Sequence, residues 1–181
     1  MQRNKHTITS LWSWMVLALV STMMACTTSQ PQEQAREEKH SGPYKVGDKL
    51  TASFVRADGS GFDTQALAGK PYFLNLWATW CGPCVAEMPA LEEAATALAG
   101  QDVRFVLGSD EPMARIDKFR EKYSYAHLEL VQVQETMAEF GVMALPTSYL
   151  VDAEGTIVKV YMGAQHWDKP EMIKELSDAI Q

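Results

Sequence analysis

The chain has 181 residues, of which 46% are hydrophobic and 22% charged, with 11 glycines and 8 prolines. This length and composition predict one globular domain with a modest extension and exclude a fibrous or wholly disordered chain. The net charge of −7 disfavours nucleic acid as a partner, because binding to phosphate needs clustered lysine and arginine. Three cysteines are too few for two disulfides or for a four-cysteine zinc site, so each must be understood from its position.

Residues 1–25 have the order of a signal peptide. Arg3 and Lys5 give a positive start, an apolar stretch follows, and the sequence STMMA leads to Cys26. The apolar stretch over 11–25 is shorter than the roughly 20 residues that span a bilayer as a helix, which makes a permanent transmembrane anchor the weaker interpretation. We therefore expect this segment to direct export.

The small residue directly before Cys26 resembles the end of a bacterial lipobox, in which the cysteine is lipidated and becomes the mature N-terminus. Met23 and Met24 stand where the usual lipobox has leucine and a small residue. The resemblance implies a membrane-lipid partner bound through Cys26 and a periplasm-facing location in the cell envelope. In a Gram-negative cell, Thr27 would direct the protein to the outer membrane. Cleavage by an ordinary signal peptidase, which leaves a free thiol, is the alternative.

Residues 26–45 are expected to form a flexible tether that includes the lipidated cysteine. The run is rich in Gln, Glu, Ser and Lys and has a single aromatic residue, so it cannot bury enough apolar area to offset the entropy of ordering. The folded domain is therefore expected to span residues 46–181.

The expected domain alternates strand-like and helix-like segments. The nearly continuous apolar run over 72–78 predicts a strand that is buried on both faces. Apolar residues then recur at spacings of three and four between Pro83 and Gly100, which predicts an amphipathic helix. The other predicted elements are strands over 50–56, 103–108, 128–133, 147–151 and 156–161, and helices over 113–123, 136–140 and 169–180.

This order predicts an α/β fold of three layers, with a central sheet flanked by helices. The opening strand, helix and strand should form a parallel pair, whereas the four-residue turn at 152–155 should join an antiparallel hairpin. The central sheet should therefore be mixed.

The chemistry is concentrated in the sequence WCGPC. Cys81 and Cys84 are separated by two residues at the point where a buried strand passes into a helix, which is the redox form of the C-x-x-C motif. Cys81 lies before the first helical turn, where free N–H groups and the helix dipole favour an anion, so its thiol pKa should be lowered. Cys84 lies within that turn, close enough to attack a mixed disulfide on Cys81. Cys81 is thus the expected nucleophile and Cys84 the resolving thiol.

Other uses of these cysteines are less well supported. A zinc site would need two more ligands, and His40, His127 and His166 are scattered. Haem attachment would need histidine directly after Cys84, where Val85 stands. We expect no metal and no cofactor; a structural disulfide without a redox role is the remaining alternative.

WCGPC after a buried strand, and Leu145-Pro146-Thr147 before a later strand, resemble the thioredoxin superfamily. The segments FLNLWATWCGPCVAEMP and GVMALPTSYLVDAEGTIV, together with the exported and tethered N-terminus, more narrowly resemble the TlpA/ResA-like thiol-disulfide oxidoreductases of bacterial envelopes. The resemblance covers about residues 46–181 and implies a thioredoxin-like fold with an N-terminal strand or hairpin extension. It also implies that Pro146 is a cis-proline facing the redox pair, with the Leu145 backbone exposed to an extended substrate strand.

A carboxylate near the pair distinguishes this chain from thioredoxin. Thioredoxins carry a buried aspartate where this chain has Asn75, which cannot titrate. Glu87, three residues after Cys84 and on the same helical face, stands where TlpA/ResA-like proteins have a glutamate, and by that resemblance it is the proton acceptor for Cys84. The alternative is a solvated glutamate that complements the helix dipole. Trp77 is expected to pack and Trp80 to face the substrate.

The resemblance implies a monomeric, envelope-anchored enzyme that reduces protein disulfides, for example those of apocytochrome c, with electrons from a membrane protein. Gly-Pro between the cysteines resembles the reducing thioredoxins, but disulfide oxidation, isomerisation and a non-catalytic binding module stay open. A peroxidase-like redoxin is disfavoured, because the Pro/Thr-rich loop before a single peroxidatic cysteine is absent.

Overall fold

The computed structural model of the protein describes residues 42–180. The strands of this part are β1 (Ser53–Val55), β2 (Gly61–Asp63), β3 (Tyr72–Leu76), β4 (Arg104–Ser109), β5 (Leu128–Val133), β6 (Thr147–Val151) and β7 (Ile157–Met162). Its α-helices are α1 (Gly82–Leu98), α2 (Met113–Lys122) and α3 (Pro170–Ala179). Single 3-10 turns occupy Thr64–Leu67 and Ala99–Gln101. The expected signal peptide, Cys26 and most of the expected tether over 26–45 lie outside the described residues.

The strands form one mixed sheet in the order β2-β1-β5-β4-β3-β6-β7. β3, β4 and β5 run parallel to one another, whereas β6 and β7 are antiparallel neighbours at one side of the sheet. At the other side, β1 pairs antiparallel with both β2 and β5, so the N-terminal hairpin extends the sheet. The expected α/β fold with a mixed sheet and an N-terminal hairpin is confirmed.

The two faces of the sheet are covered differently. α1, α2 and α3 all contribute buried side chains to the core on one face, among them Leu91, Phe119 and Leu176. Successive right-handed crossovers from β3 to β4 and from β4 to β5 move in one direction across the sheet, which places α1 and α2 on the same side. The opposite core is closed by the N-terminal segment and by the chain around Phe140. Tyr44 already belongs to this core and contacts Phe140 and Tyr149.

The predicted helix over 136–140 is a hydrogen-bonded turn instead, so that prediction is wrong. Thr136 and Glu139 cap each other, because each side chain accepts the backbone N–H of the other. Gly141 then ends the turn with a φ of 66°, and a Cβ at this position would lie 2.4 Å from the backbone of Pro43. Gly141 in this left-handed conformation therefore prevents the turn from continuing as a helix.

The register of three strands brings distant segments to one edge of the sheet. The last residue of β3, Leu76, pairs with the first residue of β6, Thr147, which pairs with the last residue of β7, Met162. The segment after β3, the segment before β6 and the segment after β7 therefore meet at this edge. They carry the C-x-x-C motif, Pro146 and residues 163–167.

Candidate active site

The C-x-x-C motif sits where β3 passes into α1. All five residues of β3 are buried, as the apolar run predicts, and Trp77 is buried directly after it. Trp80 is 69% exposed, in agreement with its expected position on the surface. Cys81 is the N-cap of α1, and its Sγ accepts the backbone N–H of Cys84 at 3.3 Å. The sulfur therefore occupies the anion-favouring position at the start of the helix.

Cys81 and Cys84 form a disulfide, with their Cα atoms 5.3 Å apart. Both residues are buried, and Cys81 keeps slightly more exposure than Cys84. The structure thus holds the pair in its oxidised form. No cluster of three or more histidine, cysteine, aspartate or glutamate side chains suited to a metal ion occurs within residues 42–180.

Glu87 lies one helical turn beyond Cys84 and is only 4% exposed. Its Oε1 accepts a hydrogen bond from Asn75 Nδ2 at 2.9 Å. Its Oε2 accepts two more, from the backbone N–H of Gln165 at 3.0 Å and from Trp167 Nε1 at 2.7 Å. A solvated glutamate at this position is therefore excluded.

The electrostatics of Glu87 reflect two opposing effects. Burial raises the pKa of Glu87 above its ordinary value, because the charged form loses water, while the hydrogen bonds from Gln165, Trp167 and Asn75 act in the opposite direction. Asn75 also donates to Ser148 Oγ at 2.9 Å, so it connects the carboxylate to β6. These partners are neutral.

A second buried carboxylate, Glu111, supports the loop in front of Cys81. It follows β4 at the same edge of the sheet, and it accepts the backbone N–H of Thr79 at 2.6 Å and the Thr79 hydroxyl at 2.8 Å. Arg115 donates to Glu111 from one helical turn away, at 3.3 Å. Glu111 thereby fixes the backbone two residues before the first cysteine.

Sequence reasoning missed Glu111, although a signal was present. The carboxyl ends of parallel strands meet at one edge of a sheet, and that edge is where α/β proteins place their sites. An acidic residue two positions after β4 therefore stands beside the loop that leaves β3. Gln165 and Trp167 were missed as well, and only the strand register brings their segment to Glu87.

The Leu145–Pro146 peptide bond is cis, as the resemblance implies. Pro146 is buried directly before β6, and its carbonyl accepts the N–H of Gly163 at 2.8 Å. Leu145 is half-buried and packs against the core cluster that contains both cysteines. Met143, in the segment before β6, and Met162, at the end of β7, are strongly exposed. Together with Trp80 they give this edge of the sheet an apolar rim.

Comparisons with known proteins agree with this geometry. The model of the Redoxin family matches residues 45–179. The thiol-disulfide oxidoreductase ResA of Bacillus thuringiensis is 33% identical over 121 residues, which cover 65% of this chain and 70% of that protein. The thioredoxin-like protein YneN of Bacillus subtilis is 34% identical over 128 residues, which cover 68% of this chain and 74% of YneN.

Solved structures share the fold of this chain. A DsbE-type thiol:disulfide interchange protein of Chlorobium tepidum superposes with a TM-score of 0.67 at 21% identity, over 76% of this chain and 99% of that one. A secreted disulfide oxidoreductase of Mycobacterium tuberculosis, homologous to DsbE, gives a TM-score of 0.56 at 25% identity, over 72% and 96% of the two chains. The protein belongs to the Redoxin family within the thioredoxin superfamily and is a ResA/TlpA-like thiol-disulfide oxidoreductase.

Proposed function

We propose that this thiol-disulfide oxidoreductase works as a reductant of disulfide bonds in exported proteins. In this proposal Cys81 is the attacking nucleophile, Cys84 the resolving thiol and Glu87 the proton acceptor for Cys84. The observation that carries the proposal is the buried Glu87 carboxylate, one helical turn from Cys84 and held by neutral donors.

The first step uses the start of α1. The Cys84 N–H and the helix dipole stabilise a thiolate on Cys81. In the oxidised protein the same N–H already donates to Sγ of Cys81. This thiolate attacks one sulfur of the substrate disulfide and forms a mixed disulfide. The other substrate sulfur leaves as a thiolate and takes a proton from water.

The second step uses Glu87. The Cys84 thiol transfers its proton to the Glu87 carboxylate, and its sulfur then attacks Sγ of Cys81. The Cys81–Cys84 disulfide forms, and the second substrate sulfur leaves with the electron pair. A carboxyl whose pKa is raised by burial is a better match for a thiol proton than an ordinary glutamate. Two electrons have then passed to the substrate, and an external dithiol must return the protein to its reduced form.

The proposed docking site is the exposed rim of this edge. Trp80 offers an apolar surface next to Cys81, and Leu145 and Pro146 supply the backbone along which an extended substrate segment would lie. Replacing Trp80 with alanine should raise KM for a protein disulfide more than it lowers kcat.

We further propose a location outside the cytoplasm, with Cys26 joined to membrane lipid and the polar run that follows it acting as a tether. The tether must end before Tyr44, earlier than the expected boundary at residue 45, because Tyr44 is buried in the folded core. The signal-peptide pattern of residues 1–25 supports export, and the similar mycobacterial protein is a secreted one. No helix within residues 42–180 is long and apolar enough to cross a bilayer. Incorporation of labelled fatty acid into the wild type, and its loss in Cys26→Ala, would support the anchor, whereas a soluble, unlabelled wild-type protein would contradict it.

The cellular role that fits these features is the reduction of apocytochrome c or other exported clients, with a membrane protein as the electron donor. Trapping of mixed disulfides with Cys84→Ser would identify the client, because that variant forms the first intermediate and cannot resolve it.

Two measurements test the proposed activity. Insulin reduction by dithiothreitol should be accelerated by the wild type and not by Cys81→Ser; equal rates would favour a binding module. A reduction potential near the thioredoxin value of about −270 mV supports a reductase, and one near about −120 mV would support an oxidant instead.

A further inference from the structure

Trp167 lies in the segment between β7 and α3 and is fully buried. Its Nε1 donates to Glu87 Oε2 at 2.7 Å, the shortest of the three hydrogen bonds that Glu87 accepts. Its ring is packed edge-on between Phe73, with centroids 4.9 Å apart, and Tyr161, with centroids 5.1 Å apart. The indole therefore has a fixed orientation toward the carboxylate.

The backbone beside Trp167 is held in place as well. The N–H of Gln165 donates to the same oxygen of Glu87, and the Gln165 side chain donates to the Gly163 carbonyl at 3.0 Å. Two preorganised donors from one short segment thus converge on Oε2. An indole N–H is only a donor, so this contact favours the ionised carboxylate over the protonated one.

Among residues 42–180, the hydrogen-bond partners of Glu87 include no cation. β3 and β6 contribute Asn75 and Ser148, which are neutral, and the segment after β7 contributes Gln165 and Trp167.

The titratable groups on the elements around Glu87 either have other partners or are exposed. On its own helix the other titratable groups are the two cysteines, which are joined in the oxidised protein, Glu92, which accepts the backbone N–H of His127, and Glu93, which is exposed. The hydroxyl of Tyr161, which packs on Trp167, donates a hydrogen bond to Glu175 Oε1 at 2.9 Å, and Glu175 also binds Lys159. His166 is exposed.

We propose that Trp167 is a positioning residue of the redox site, whose indole N–H holds the Glu87 carboxylate ionised and oriented so that it can receive a proton. The inference rests on the proposed role of Glu87 as the proton acceptor for Cys84. It extends the redox site to the segment after β7, which carries no reacting group of its own.

The test uses Trp167→Phe, which keeps an aromatic ring and removes the N–H. Trp77→Phe is the matched control, because Trp77 is equally buried but its Nε1 has no hydrogen-bond partner in the described part of the chain. In the oxidised proteins the cysteines do not titrate, so the carboxyl carbon signal of Glu87 in an NMR titration reports this group directly. We expect its midpoint to rise by about one pH unit in Trp167→Phe and to stay unchanged in Trp77→Phe.

The pH profile of insulin reduction, measured on the same proteins, separates this inference from the proposed function. A Glu87 midpoint that rises together with the profile supports both. A midpoint that rises while the profile stays fixed supports the positioning role but contradicts Glu87 as the acceptor. An unchanged midpoint in Trp167→Phe overturns the inference, whatever the profile does.

A measurement on the wild type keeps the inference testable if Trp167→Phe does not fold. The indole N–H signal of Trp167 should move with the titration of Glu87, and this movement should vanish in Glu87→Gln. The indole N–H signal of Trp77 should not follow it. A Trp167 signal that does not respond to pH would contradict the proposal.

Discussion

Glu87 and Glu111 are two buried carboxylates at the same edge of the sheet, yet their surroundings differ. Glu87 is held by three neutral donors, from Asn75, Gln165 and Trp167. Glu111 binds the backbone and hydroxyl of Thr79, and in addition it has a cationic partner in the guanidinium of Arg115.

The difference indicates two tasks. The charged form of a carboxylate that is buried without a cation loses its hydration, which raises its pKa, so Glu87 is suited to the proposed exchange of a proton. A carboxylate beside arginine has its charge compensated, and the bonds that Glu111 makes to Thr79 hold the loop in front of Cys81. Burial alone therefore does not distinguish the proposed proton acceptor from the other carboxylate, whereas the charge of their hydrogen-bonding partners does.

The largest expected effect is that of Glu87→Gln on catalysis. This change removes the proposed proton acceptor and leaves the packing of α1 nearly the same, so insulin reduction at neutral pH should fall by about 100-fold. The pH profile should lose the step that belongs to Glu87. A Glu87→Gln variant with the rate and pH profile of the wild type would contradict the proposed role of Glu87 in proton transfer.

The second prediction concerns Glu111→Gln and the stability of the oxidised protein. An amide can accept only through its oxygen, so either the N–H or the hydroxyl of Thr79 loses its acceptor, and Arg115 loses its counter-charge. We expect the free energy of unfolding to fall by about 2 kcal/mol in denaturant titrations. The pH profile of insulin reduction should keep its shape. A changed pH profile with unchanged stability would contradict this prediction, because it would give Glu111 the role in proton transfer that is proposed for Glu87.

The third prediction is a pH dependence of stability that belongs to Glu87. Its pKa in the folded protein is raised above the ordinary value of 4.5, so it stabilises the fold fully below about pH 4.5. That contribution is lost as the pH rises through the folded pKa. Unfolding of the oxidised wild type and of Glu87→Gln should therefore show a stability difference that shifts against the wild type between acid and neutral pH. A difference independent of pH would contradict the raised pKa.

The smallest effect is expected for Arg115→Gln. The Arg115 side chain is 65% exposed, and exposed ion pairs contribute less than about 1 kcal/mol. The loss of stability should be below that of Glu111→Gln and should shrink as salt is added. A loss as large as that of Glu111→Gln would mean that the ion pair, and not the bonds to Thr79, holds the loop.

Local patterns predicted the parts of the site that are close together in sequence. The buried strand before WCGPC, the N-terminal position of Cys81 and the helical face shared by Cys84 and Glu87 all follow from spacings of a few residues. The cis form of Pro146 came from the family resemblance, since sequence alone leaves an X-Pro bond trans by default.

The remaining parts depend on contacts between distant segments. Gln165 and Trp167 reach Glu87 across about eighty positions of sequence, because β7 ends beside β6 and β6 begins beside the end of β3. No periodicity in the chain encodes that register. The turn over 136–141 was predicted as a helix because the spacing of apolar residues does not reveal that Gly141 has a left-handed conformation and packs against the backbone of Pro43.

The most direct test of Glu87 as the proton acceptor isolates the step in which Cys84 acts. The reduced protein is mixed rapidly with an aromatic disulfide whose thiol is coloured when released; attack by Cys81 releases the first thiol, and attack by Cys84 releases the second. In the wild type the rate of the second release should rise in a step as Glu87 ionises. In Glu87→Gln this step should be absent and the second release about 100-fold slower at neutral pH. Equal second phases in both proteins across the pH range would contradict the assignment of Glu87 as the acceptor.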